Sequence, residues 1–217
     1  MNELAQRTGY LFVLEGIDGS GKTCACQRLV DILQKENFDI VALREPTSES
    51  PWGLEMRERS PRGELTPEEE LELFIRDREW NVQNRIVPAL ENGKIVLMDR
   101  YFFATGAYQS VVTGISWREI LRRNREGISA PEPDIVFILD VSVEVGLQRA
   151  TGRTGKANLQ FEQFDRLVKV RKAYLEIAEY DTANVKLIDS MKSLDEVVVE
   201  IHEIIANFIE KSELERV

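Results

Sequence analysis

Short, nearly unbroken apolar runs alternate along the chain with longer segments in which apolar residues recur three to four positions apart. Five runs read as strands buried on both faces: Tyr10–Glu15 (YLFVLE), residues 39–45 (DIVALRE), KIVLMD ending at Asp99, residues 134–142 (DIVFILDVS) and residues 184–190 (NVKLIDS). Helical spacing lies between them. Ala25, Leu29, Ile32 and Leu33 mark a helix after the first run. Leu71, Phe74, Ile75, Val82, Ile86 and Leu90 mark one long helix that stops at Gly93. Thr66 with Glu69 forms its capping box, and Pro67 suits its first position. Ser193 with Glu196 opens a last helix, and residues 47–53 (TSESPWG) read as a turn-rich loop. Strands alternating with helices predict an α/β fold, a central parallel five-stranded sheet flanked by helices on both faces. Ligands of such folds bind beyond the carboxyl ends of the strands. Glu15, Arg44 to Pro46, Asp99 to Tyr101 and Asp189 all sit at those ends.

The length of 217 residues suits one domain, and no repeat or low-complexity linker divides it. A net charge of −10 argues against nucleic acid or an anionic membrane as a partner held by overall attraction. Any anionic ligand therefore needs a local cationic pocket. No apolar run is long enough to span a membrane, and the first residues lack a signal-peptide pattern. Cys24 and Cys26 are too close together to clamp a fold and have no metal-ligand neighbours. They are expected to be reduced and buried in the first helix, which fits a cytoplasmic protein.

The candidate chemistry begins between the first strand and the first helix. Gly16, Ile17, Asp18, Gly19, Ser20, Gly21, Lys22 and Thr23 complete the pattern G-x-x-x-x-G-K-[ST], a P-loop in its strand, loop, helix context. The glycines let backbone N–H groups turn inward around the phosphates of ATP. Lys22 reaches the β- and γ-phosphates, and Thr23 holds Mg²⁺. Asp99, the acid ending an apolar strand, is the second candidate for the Mg²⁺ site. P-loops also serve switches and motors, but no guanine-binding signature is visible and no D-x-x-G follows the third strand. Arg100 follows it instead. An arginine beside the metal acid suits a second phosphate, and Arg44, Arg76 and Arg78 offer further cations. A kinase for a phosphorylated acceptor needs such a second anion site; an enzyme that uses water does not.

REPT (44–47), LFIRDRE (73–79), DRYFFATGAYQS (99–110) and PDIVFILDVSVEVGLQRA (133–150) together resemble the thymidylate kinase family, over about Tyr10 to Leu187. The resemblance implies a nucleoside-monophosphate-kinase-like P-loop domain spanning residues 1–217, with a lid at about 149–160, that transfers phosphate from ATP to dTMP as a homodimer. It implies that Phe74 stacks on the base, that Arg78 and Thr105 meet the base edge, and that Gln109 lines the same wall. Asp18 meets the sugar hydroxyl, Tyr108 favours deoxyribose, and Arg100 and Arg44, beside Pro46, hold the acceptor phosphate. A family member with Gly19 rather than a basic residue in the P-loop carries its catalytic cation in the lid. Arg149, Arg153 and Lys156 are the candidates there, Arg153 first. On periodicity alone Phe74 is a core residue, and Arg76 and Arg78 lie on a solvated helix face. Trp80 and Trp117 suit either a core or a dimer contact. Ala104, Phe103 and Arg76 depart from common family residues. They keep two alternatives open: a broader deoxynucleotide or nucleoside kinase, or a nucleotide-binding domain without catalysis.

Overall fold

A computed structural model describes residues 8–151 and 157–215. All five apolar runs are strands: β1 (Tyr10–Glu15), β2 (Ile40–Arg44), β3 (Ile95–Asp99), β4 (Ile135–Asp140) and β5 (Val185–Asp189). They form one parallel sheet in the order β2-β3-β1-β4-β5. Alternate residues of each strand feed opposite layers. Phe12, Leu14, Leu97 and Phe137 pack with α1 (Lys22–Lys35) and with the last helix, Leu194–Glu215. Leu11, Val13, Met98 and Val136 pack on the other side, beneath helices at Phe102–Thr113 and Ala157–Tyr180. The register sets Asp99 opposite both Leu14 and Arg44. The carboxyl ends of β2, β3 and β1 are therefore level, and the loop after β1 emerges beside Arg44 and Asp99.

Two helical regions differ from the expectation. The expected loop at 47–53 gives way to α2 (Pro51–Arg59), whose N-cap Ser50 accepts from the Gly53 N–H at 2.9 Å. Its start signals, Ser before Pro, stand in a stretch rich in turn formers. The single helix expected from Thr66 is α3 (Pro67–Asn81), a π-helical turn (Val82–Ile86) and α4 (Val87–Glu91). Its capping box at Thr66 and Glu69 is formed as expected. The wide turn precedes Pro88, which has no N–H for the carbonyl four residues back and whose ring crowds it.

Between β3 and β4 lie α5 (Phe102–Thr113) and α6 (Trp117–Arg122). Most of α5 is buried, so it carries no periodic stripe to mark it. The remaining helices are α7 (Val143–Thr151), α8 (Ala157–Tyr180) and α9 (Leu194–Glu215). Trp117 is buried in the core. Cys26 is buried as expected but Cys24 is exposed, because the start of α1 faces the ligand side of the sheet. Among the described residues no helix is long and apolar enough to cross a membrane.

Candidate active site

The loop after β1 turns through three left-handed glycines, Gly16 (φ +138°), Gly19 (φ +78°) and Gly21 (φ +95°). A side chain on Gly19 has no room, since its Cβ would fall 1.9 Å from the carbonyl oxygen of Gly146 on α7. Gly146 is constrained in return, its Cβ position being 2.8 Å from the carbonyl oxygen of Asp18. Gly21 caps α1, whose first residues are Lys22 and Thr23. Lys22 is buried and donates from Nζ to the carbonyls of Gly16 (2.9 Å) and Ile17 (2.8 Å). Burial, and then the Arg100 guanidinium, pull its amine down to about 7.

Thr23 donates from Oγ1 to Asp99 Oδ2 at 2.7 Å. The other oxygen of Asp99, Oδ1, is buried and has no hydrogen-bond partner among the described residues. A hydroxyl beside a carboxylate with one unused oxygen fits Mg²⁺, a hard cation that takes one or two protein oxygens and completes its shell with phosphates and water. No group of three or more metal-ligating side chains exists among the described residues, so these oxygens alone would not form a dedicated cage.

Two cavities open at the sheet rim. The first, about 320 Å³, is lined by Asp18, Gly19, Gly21, Lys22, Thr23 and Cys24, with Arg149 of α7 at its edge. Arg149 donates to the Ser190 carbonyl at 2.9 Å. The second cavity, about 380 Å³, lies among α3, α5 and α8, with Phe74, Arg78, Ala104, Thr105, Tyr108 and Gln109 in its wall. Pro46 also borders it. Arg44 and Arg100 line both cavities. They are the junction between the two.

Arg100 has φ +73°, a left-handed conformation that costs a non-glycine residue about 1–3 kcal/mol. Its side chain pairs with Asp18 Oδ1 and lies over the Tyr108 ring, 5.1 Å from the centroid. Tyr108 closes the cluster: its hydroxyl accepts from the Asp18 N–H at 3.0 Å and donates to Asp18 Oδ2 at 3.2 Å. Burial pushes that phenol up to about 12 despite the Arg100 charge.

Periodicity misplaces two residues of α3. Phe74 is half-buried and faces the cavity rather than the core. Arg78 is only 1 % exposed, not on a solvated face. It donates from Nε to Glu45 Oε2 (2.8 Å), from Nη1 to Asn124 Oδ1 (2.6 Å) and from Nη2 to Thr105 Oγ1 (3.0 Å). Arg76 is on the solvated face as expected, paired with Glu72 at 2.7 Å. Gln109 donates to Glu70 Oε2 at 3.2 Å, and its own Oε1 is buried without a hydrogen-bond partner among the described residues. Asp189 borders neither cavity. Of the lid candidates, Arg153 and Lys156 lie outside the described residues, while the expected lid begins inside α7 and runs into α8.

Some contributors carry no motif. Asn124, Glu70 and Arg166 reach the second site from separate elements, and only the fold assembles them. Glu15 is legible only as a strand-end acid. It is fully buried, accepting from the N–H groups of Tyr101 (2.8 Å) and Ala104 (3.1 Å) and from the Tyr174 hydroxyl (2.9 Å).

A parallel sheet with a phosphate-binding loop after its central strand, and a second cation-lined cavity joined to the first, makes this an α/β P-loop protein built to hold two anionic ligands at once. Comparison with known proteins narrows the class. The thymidylate kinase family model matches residues 14–201. A probable thymidylate kinase of Archaeoglobus fulgidus is 41 % identical over 92 % of this chain and 96 % of its own. The thymidylate kinase of Xanthomonas euvesicatoria is 39 % identical over 91 % of this chain and 83 % of its own, and that of Desulfotalea psychrophila 36 % over 89 % and 93 %. The chain belongs to the thymidylate kinase family.

Proposed function

We propose that the protein transfers the γ-phosphate of ATP to dTMP, giving ADP and dTDP. The observation that carries this reading is the pair of cavities sharing Arg44 and Arg100. A donor and an acceptor lodged one in each bring their phosphates together at two guanidinium groups. Positioning and charge neutralisation are the main needs of phosphoryl transfer. The inward N–H groups from Gly16 to Gly21 and the Lys22 ammonium hold the donor phosphates. Thr23 and Asp99 would hold Mg²⁺, which supplies neutralising charge at the β- and γ-oxygens when bound. Phe74 covers the base, Arg78 acts at the wall through the Thr105 hydroxyl, and Gln109 offers an acceptor oxygen beside it. Asp18 and Tyr108 meet the sugar, while Arg44 and Arg100 grip the acceptor phosphate next to Pro46. Arg100 then exchanges the Asp18 carboxylate for the phosphate, and Asp18 becomes available to the sugar hydroxyl. Arg153, with Arg149 and Lys156, is the proposed lid cation. A single domain, a cytoplasmic location, homodimers and small nucleotides rather than nucleic acid or membrane as partners complete the reading; light scattering tests the dimer.

ADP release measured with Mg²⁺ and ATP against dTMP, dUMP, dCMP, dGMP, AMP and UMP tests the reaction, and dTMP is expected to be the best acceptor. Best activity on AMP or UMP rejects the reading. Nucleotide binding without turnover of any acceptor favours a silent binding domain. Arg100→Ala is expected to raise KM for dTMP about tenfold or more, the loss of one charge-assisted contact. Unchanged acceptor affinity in that variant points to an unphosphorylated nucleoside instead.

A further inference from the structure

One wall of the second cavity comes from α8, and the residue it contributes is Arg166. Every other cation lining either cavity is engaged. Arg78 is held by Glu45, Asn124 and Thr105. Arg100 is paired with Asp18, and Arg44 lies 3.6 Å from Asp99. Lys22 is folded onto the Gly16 and Ile17 carbonyls, and Arg149 onto that of Ser190. Arg166 is exposed and makes no ion pair or hydrogen bond with any described residue.

The helix beneath it is firmly seated. Leu167, Val170, Tyr174 and Ile177 are buried at helical spacing. Tyr174 bonds Glu15 at 2.9 Å and meets the Tyr108 ring edge-on at 6.3 Å. The guanidinium thus extends from a fixed backbone into a cavity already bordered by the phosphate-gripping pair. In a chain of net charge −10, a guanidinium at a cavity wall with no carboxylate paired to it among the described residues concentrates anions locally, and its planar fork matches phosphate oxygens. Elsewhere in the wall Glu70, bonded to Ser60 and Gln109, presents negative charge, which disfavours a phosphate at that end.

We propose that Arg166 is a further binding residue for the acceptor phosphate, reaching it from α8 while Arg44 and Arg100 reach it from the sheet rim. This rests on the reading of the second cavity as the acceptor site. Calorimetric titration of dTMP and of thymidine into the wild type, Arg166→Ala, Arg166→Lys and Lys169→Ala tests it. Lys169 is exposed on the same helix and does not line the cavity. Arg166→Ala is expected to bind dTMP about tenfold or more weakly, with thymidine affinity and KM for ATP unchanged. Arg166→Lys recovers part of the loss, and Lys169→Ala behaves as the wild type. Equal dTMP affinity in Arg166→Ala and the wild type overturns the assignment, as does an equal loss for thymidine. A wild type that turns over no dTMP sinks the functional reading first, before any variant is made, and this assignment with it.

Discussion

Glu15 joins three parts of the site through one carboxyl group. One oxygen accepts two N–H groups at the start of α5, directly after Arg100, and the other accepts the Tyr174 hydroxyl of α8. Burial is the largest influence on it and lifts the carboxyl from 4.5 to about 7, against the Tyr174 hydrogen bond and the Arg100 charge, which pull it down. Between those two values the folded chain binds a proton that the unfolded chain does not. The contribution of Glu15 to stability is therefore full below about 4.5 and is lost as pH rises to about 7. Glu15→Gln does not titrate, so the wild type should lose stability relative to it, by up to about 3 kcal/mol, as pH rises from about 4.5 to about 7. Urea titrations of both proteins check this, and a constant difference between them contradicts it. The residues most legible in the sequence are those whose partners are local: Lys22 and Thr23 follow from the spacing of the glycines. Arg78 is the opposite case. Its burial depends on Glu45 and Asn124, 33 and 46 positions away, so nothing on its own helix distinguishes it from Arg76.

The segment between β2 and α2 carries Pro46 into the second cavity, and α3 holds it there. Buried Asp77 accepts from the Thr47 N–H at 2.8 Å, from the Thr47 hydroxyl at 2.6 Å and from the Ser50 hydroxyl. Ser50 in turn caps α2. Asp77→Asn turns an amide NH₂ toward groups that need an acceptor. It is expected to cost about 2–3 kcal/mol of stability, read from the urea midpoint, and to raise KM for dTMP more than KM for ATP. Equal effects on both substrates would show that the clamp is not specific to the acceptor side. The strands were legible because double-sided burial writes a continuous apolar run. The helices were legible only where one face stays wet. The nearly all-buried α5 and the short α2 lack that contrast, and Pro88 changes the hydrogen-bond register without disturbing the apolar spacing.

Both cores rest on the same strands. Phe12 and Leu14 point into one layer while Leu11 and Val13 point into the other, and β3 and β4 divide in the same way. Neither layer can lose its sheet face without exposing the other, so the chain is expected to unfold in one cooperative step. Coincident urea transitions by far-ultraviolet circular dichroism and tryptophan fluorescence check this; two separated midpoints would divide the chain into independent units. The layered architecture was readable from the order of the strands. The way distant helices close the second cavity was not, because it depends on how α3, α5 and α8 meet in space.

The close approach of Gly19 to Gly146 binds two distant stretches of the gene to a common fate. Since backbone meets backbone there, neither codon can drift to a bulkier residue unless the whole of α7 is displaced. In this chain the loop therefore meets a nucleotide only through its main chain at that point. A positive charge over the nucleotide at that point must come from another segment, whose side chains are free of the Gly19–Gly146 backbone contact.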